Sequence, residues 1–107
     1  MSRKHGNMKN LSKEQILTLL RLEGKALRDQ FGVVSIGLFG SFAKDRQTSD
    51  SDIDLLVEFE SPRFDHVVGL QIYLEDRFGT KVGIVRKGAH LSKRFTSLIE
   101  KDIVYVQ

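Results

Sequence analysis

Apolar residues recur along this chain in two different periods, and each change of period marks a predicted element. Residues 33–39 and 53–57 are short runs of β-branched and other apolar residues, which is typical of buried strands. The first run stops at Gly40. In the second run the residues expected to face the core are Ile53, Leu55 and Val57. We therefore predict two strands separated by a short polar loop.

The apolar spacing before the first strand is helical. A helix is predicted to begin after Ser12, an N-cap that forms a capping box with Gln15. The apolar residues on one face of this helix are predicted to pack in the core, and the helix should end at Gly32.

A second helix is predicted after the second strand. Ser61 should be its N-cap, Pro62 its first helical residue and Gly79 its C-cap. The remaining predicted elements are a strand over 80–86, a helix over 92–100 and a short terminal strand within 103–106. This order predicts an α+β fold, with a small mixed sheet and helices mainly on one face. We expect one domain over residues 11–107, preceded by a polar, mobile segment over residues 1–10.

The candidate chemistry lies at the ends of the two central strands. Gly40 and Ser41 are followed, after ten residues, by Asp52 and Asp54. Residues i and i+2 of a strand share a face about 6 to 7 Å apart, so the two carboxylates can converge on a divalent cation. Mg²⁺ prefers oxygen ligands and completes its shell with substrate phosphates.

The segment after the first strand has the residues of a phosphate-binding turn. Ser41 opens a short segment, 42–46, that could form one or two helical turns, whose free N–H groups bind phosphate. Gly40 permits a close approach of the backbone. Lys44 and Arg46 are near enough in sequence to help neutralise a triphosphate. Gly-Ser and Asp-x-Asp are each common structural pairs, and only their combination in this order favours function.

These residues together resemble the active-site signature of the minimal nucleotidyltransferases, which share the catalytic fold of DNA polymerase β. The matching segments are 40–44 and 51–57, and the resemblance extends over most of the chain. It implies that Gly40 and Ser41 bind the triphosphate of ATP. It also implies that Asp52 and Asp54 are catalytic and hold Mg²⁺, two ions in an active enzyme.

Two positions depart from the family pattern. Such proteins usually carry a third acidic residue on a later strand, where this chain has Gly83. Glu58 shares a strand face with Asp54 but should lie roughly 13 Å away, too far to replace it. Asp45 stands where the family often has glycine.

The resemblance implies two alternative functions. The first is transfer of AMP from ATP to a partner macromolecule, as antitoxin to a HEPN-type ribonuclease toxin. The alternative is a catalytically impaired module, with Gly83 as its best support, that neutralises or scaffolds its partner by binding alone.

The amino-acid composition bears on the cellular location of the protein and on its partners. The chain has no cysteine, which excludes disulfides and thiol chemistry, and no apolar run of membrane-spanning length, so we expect a cytoplasmic protein with no membrane partner. Residues 1–43 carry seven basic and three acidic groups (+4), 44–76 carry three and nine (−6), and 77–107 carry seven and two (+5). The basic ends could attract nucleic acid, but solvated faces are the favoured interpretation.

Overall fold

The computed structural model describes residues 11–61 and 63–106, so the predicted mobile segment 1–10 lies outside the described residues. The elements in chain order are α1 (Lys13–Leu22), α2 (Gly24–Phe31), β1 (Val33–Phe39), β2 (Ile53–Phe59), α3 (Phe64–Phe78), β3 (Val82–Arg86), α4 (Lys93–Glu100) and β4 (Val104–Tyr105).

The four strands form one mixed sheet in the order β3-β2-β1-β4. Strand β1 is antiparallel to β2 and β4, whereas β2 and β3 are parallel. The parallel pair requires a crossover, which α3 supplies by packing against β3. The predicted α+β fold with a mixed sheet is therefore confirmed.

One face of the sheet carries the main core. Ile53, Leu55 and Val57 of β2 are completely buried there, as the strand period predicts. They pack in one cluster with apolar residues of the first three helices, including Leu20, Leu27, Leu70, Leu74 and Phe78. The opposite face carries Phe39, Asp54 and Leu56, and α4 lies over part of it, with the Phe95 ring edge-on to Phe39 at 6.0 Å.

The predicted single first helix is wrong, because the chain breaks at Glu23 into α1 and α2. The Ser12 capping box is present, with the Ser12 hydroxyl accepting from the Gln15 N–H at 3.1 Å. Glu23 accepts a hydrogen bond from the Tyr73 hydroxyl of α3. Gly24 has low helix propensity, so the break there costs little and lets α2 turn to pack on α3. Gly32 ends α2 in the left-handed conformation, as predicted.

The start of α3 also differs from the prediction. The helix begins at Phe64 with Arg63 as its N-cap, so Ser61 is not the cap. Arg63 stays extended, and its guanidinium pairs with Asp65 of the first turn at 3.0 Å. The predicted role of Pro62 falls outside the described residues. Gly79 ends the helix with a φ of 70°, as predicted.

The later elements are slightly shorter than predicted. Strand β3 begins at Val82, and β4 has two residues. Helix α4 begins at Lys93, because Ser92 is its N-cap and accepts from the Phe95 N–H at 3.1 Å. Over the described part of the chain, no helix has the length and apolar character needed to span a membrane.

Candidate active site

The segment after β1 forms hydrogen-bonded turns, where the sequence indicated that one or two helical turns could form. Gly40 turns the chain with a φ of 80°, a conformation that favours glycine. The Lys44 N–H then lies 3.2 Å from the carbonyl oxygens of both Gly40 and Ser41, and the Arg46 N–H donates to Ser41 at 2.9 Å. These bonds, together with the one from the Asp45 N–H to the Phe42 carbonyl at 3.3 Å, close the turn at its far end.

The near end of this turn presents unpaired donors. Within the described residues, the N–H groups of Ser41, Phe42 and Ala43 have no protein acceptor. Consecutive free N–H groups are the arrangement that binds an anion at a helix start. Gly40 and Ser41 therefore lie where the sequence predicted a phosphate-binding turn.

Two anchors hold the turn in place. Phe42 and Ala43 are buried, and both belong to the main core. From α1, the Lys13 ammonium donates to the Ala43 carbonyl at 3.4 Å and lies 3.3 Å from Asp45. Sequence reasoning missed Lys13, because no motif links it to a turn thirty residues later.

Asp45 has a φ of 58°, in the left-handed region where glycine is favoured. This gives a physical reason for the glycine that the family resemblance implied here. Asp tolerates this conformation better than most residues, so the turn keeps its shape.

The two predicted carboxylates lie at the start of β2. Asp52 is exposed and immediately precedes the strand, while Asp54 is its second residue and is half-buried. Burial, and then the nearby charge of Asp52, raise the pKa of Asp54 above its ordinary value. Within the described residues, the Asp54 carboxylate has neither a hydrogen-bond donor nor a basic partner. Among the described residues, no donor or cation therefore compensates its desolvation.

The Asp54 carboxylate lies directly against the turn. Phe39 pairs with Asp54 across β1 and β2, which places Gly40 beside the carboxylate. A Cβ built at Gly40 would collide with Asp54 Oδ2 and lie 3.2 Å from its Cγ. The turn after β1 and the carboxylate can adjoin only because residue 40 has no side chain.

Gly83 lies on the other side of the same carboxylate. It is the β3 partner of Asp54 in the parallel register, and a Cβ built on it would be 3.3 Å from Asp54 Oδ1. Any side chain at position 83 would thus begin beside Asp54. Glu58 does not compensate, since it lies farther along β2 and accepts from the Ser35 hydroxyl at 3.3 Å.

The two predicted basic residues lie at the rim. Lys44 is exposed, and its ammonium is 4.0 Å from Asp102, between α4 and β4. Exposed pairs at this distance contribute little, so Lys44 remains available to a competing anion. Arg46 is exposed beyond the turn.

The donor set fits magnesium. Two hard carboxylates, one of them desolvated and with no cationic partner among residues 11–61 and 63–106, adjoin free N–H donors that suit phosphate. Mg²⁺ binds in this way, through one or two carboxylates and the phosphates of a substrate.

A turn of free N–H groups beside paired carboxylates on a mixed sheet defines a nucleotidyltransferase-type site. The chain belongs to the nucleotidyltransferase domain family, which matches residues 24–105. It is 43% identical to a candidate protein adenylyltransferase of Methanocaldococcus jannaschii, over 92% of this chain and all of the relative. It is 37% identical to the protein adenylyltransferase MntA of Thermococcus cleftensis, over the same shares of both chains.

Solved structures share the fold. The structure of a candidate minimal nucleotidyltransferase matches with a TM-score of 0.71 at 30% identity, covering 88% of this chain and 95% of that chain. A chain of the tri-AMPylated Shewanella oneidensis HEPN toxin in complex with MNT antitoxin matches with a TM-score of 0.60. That match covers 85% of this chain and 71% of the other at 19% identity, and it shows a likeness of fold alone.

Proposed function

We propose that this protein transfers AMP from ATP to a hydroxyl group of a partner protein. The observation that carries the proposal is the contact between the turn after Gly40 and Asp54. This contact places N–H groups that can bind an anion beside a carboxylate that can bind a cation. The names of the two protein adenylyltransferase relatives support the same reaction.

The roles follow from the chemistry of each group. The N–H groups after Gly40 and the Ser41 hydroxyl would hold the triphosphate, with Lys44 turning from Asp102 to help neutralise it. Asp52 and Asp54 would hold Mg²⁺, which supplies electrostatic stabilisation of the charge that develops on the phosphates.

The transfer itself is a displacement at the α-phosphorus of ATP. The acceptor oxygen forms a bond to that phosphorus and gives up its proton to solvent water, the bond from the phosphorus to the bridging oxygen breaks, and pyrophosphate leaves with the electron pair of that bond. This chemistry depends mainly on positioning and electrostatics. A rigid turn, anchored by Phe42 in the core and by Lys13 of α1, provides the positioning.

The proposed acceptor is a HEPN-domain toxin, for which this protein would act as antitoxin. The structural neighbour in which an AMPylated HEPN toxin is bound to an MNT antitoxin supports this assignment. In this proposal the acceptor hydroxyl belongs to that toxin.

A second candidate function has its own support. Gly83 places no carboxylate beside Asp54, so the chain could neutralise its partner by contact alone. In that case nucleotide binding would be dispensable for neutralisation.

Radiolabelled ATP tests the proposal directly. The protein is incubated with a co-purified HEPN-domain toxin, Mg²⁺ and ATP labelled at the α-phosphate, with γ-labelled ATP as the control. We expect only the α-label to reach the toxin, and Asp52→Asn to abolish the transfer. Transfer that persists in Asp52→Asn would contradict the catalytic assignment.

Co-expression separates the two candidate functions. If AMP transfer neutralises the toxin, Asp52→Asn should fail to restore growth although it still binds the toxin in a pull-down. Full rescue by Asp52→Asn would favour neutralisation by contact.

A further inference from the structure

The face of the sheet that carries Asp54 has two carboxylates available to a metal. Across residues 11–61 and 63–106, no group of three or more His, Cys, Asp or Glu side chains is arranged to hold a metal ion. Asp52 immediately precedes β2 and Asp54 is its second residue, so both acids lie at the same end of the strand. Glu58, the next acid on this face, is engaged with Ser35.

The position that could supply a third carboxylate is defined by strand register. Gly83 is the parallel partner of Asp54, and its built Cβ points to Asp54 Oδ1 at 3.3 Å. That Cβ meets no other atom of the described chain within 4 Å, apart from its sequence neighbours. The Asp54 carboxylate is therefore the one described group that the first atom of a side chain at position 83 would contact.

The number of carboxylate ligands limits the number of cations that the protein can hold. Two cations in a two-metal site lie about 3.5–4 Å apart and share a bridging ligand. Mg²⁺ is usually held by one or two carboxylates together with substrate phosphates. Asp52 and Asp54 are enough for one cation on this pattern, whereas a second cation would have to share the same two carboxylates.

We propose that the nucleotide site of this chain holds one protein-bound divalent cation, and that Gly83 sets the number at one. The inference rests on the proposed function, because the cation binds together with the triphosphate. A carboxylate at position 83 would adjoin Asp54 Oδ1 and provide the missing anionic ligand of a second cation.

Mn²⁺ is the probe, because the paramagnetic resonance of the free ion can be quantified and closely spaced Mn²⁺ ions broaden one another. The full-length protein is titrated with Mn²⁺ in the presence of a non-hydrolysable ATP analogue with a methylene bridge between the α- and β-phosphates. The analogue alone is titrated in parallel. We expect wild type to saturate at one Mn²⁺ per complex, without Mn–Mn broadening.

Two substitutions at position 83 provide a matched pair. Gly83→Asp should saturate at two Mn²⁺ per complex and show broadening, whereas Gly83→Asn, similar in size but uncharged, should remain at one. Circular dichroism establishes that each variant is folded. If Gly83→Asp does not fold, the counts for wild type and Gly83→Asn still decide the number.

The outcomes separate the inference from the function on which it rests. Two Mn²⁺ ions in wild type, or one in a folded Gly83→Asp, would overturn the inference while leaving the nucleotide site intact. Binding of the analogue and Mn²⁺ that is unaffected by Asp52→Asn would overturn the proposed site itself.

Discussion

Two glycines flank the same carboxylate, and they have opposite structural meanings. Gly40, at the end of β1, has a φ of 80°, and a Cβ there would collide with the Asp54 carboxylate. Gly83 lies in a regular strand, and a Cβ there would be 3.3 Å from the other oxygen of Asp54. The conformation and contacts at position 40 therefore require glycine, whereas the strand conformation at position 83 does not.

The difference shows where the geometry constrains the sequence and where it leaves a choice. A side chain at position 40 would separate the turn after β1 from Asp54, so the close approach of the two requires glycine there. At position 83 the backbone conformation suits other residues, although a Cβ 3.3 Å from Asp54 Oδ1 requires that carboxylate to move by a few tenths of an ångström. Of these two positions, only position 83 on β3 can therefore be substituted to change the groups beside Asp54.

Gly40→Ala should have the largest effect. Its left-handed conformation costs about 1–3 kcal/mol in a non-glycine residue, and the methyl group would also displace the Asp54 carboxylate. We expect a lower midpoint in urea unfolding and no calorimetric binding of Mg²⁺–ATP. A variant with wild-type stability and affinity would show that the close contact at residue 40 is unimportant.

Gly83→Asp should increase AMP transfer, because the new carboxylate can assist the acceptor and share a cation. A positioned general base contributes about 10² to 10⁴ in rate, so a gain of at least about tenfold is expected. Initial rates of label transfer measure it, with Gly83→Asn as the uncharged control. An equal gain in both variants would assign the effect to packing and not to the carboxylate.

Asp54→Asn should stabilise the metal-free protein at neutral pH. Burial and then Asp52 raise the pKa of Asp54 in the folded state, so the ionised group costs stability above its unfolded-state pKa. The stability of wild type therefore falls as pH rises through the interval between the unfolded and folded pKa values. Asparagine removes this loss, because it cannot ionise.

Thermal unfolding in EDTA checks this sign. The variant should melt above wild type at pH 7.5, and the difference should shrink as the pH is lowered and Asp54 becomes protonated. A difference that grows on acidification would contradict the assigned cause.

Gly24→Ala should have the smallest effect, and it serves as a control for the substitutions of Gly40 and Gly83. Gly24 begins α2, and a Cβ there meets no atom within 4 Å. Alanine has the higher helix propensity, so a gain of up to about 1 kcal/mol is expected, with unchanged nucleotide affinity. A loss of stability comparable to that of Gly40→Ala would mean that α2 cannot accept a methyl group at this position.

The sequence predicted those features that depend on local pattern. The Asp-x-Asp spacing placed Asp52 and Asp54 correctly at the start of β2, and alternation placed Ile53 in the core. Both follow from the period of a strand, which does not depend on distant residues.

Features set by distant contacts could not be predicted in this way. The helix break at Glu23 depends on Tyr73 of α3, and Lys13 reaches the turn only once α1 has packed beside it. The register of β2 and β3 likewise depends on the packing of α3. The sequence indicated that Gly83 replaces an acid, but only the register shows that the position faces Asp54.

Calorimetric titration of ATP and Mg²⁺ into wild type and Asp52→Ala most directly tests whether the turn and the carboxylates form one nucleotide site. Binding should require Mg²⁺ and disappear in Asp52→Ala, because the turn and the cation hold the same triphosphate. The absence of binding to wild type, or equal binding to both proteins, would contradict a working nucleotide site.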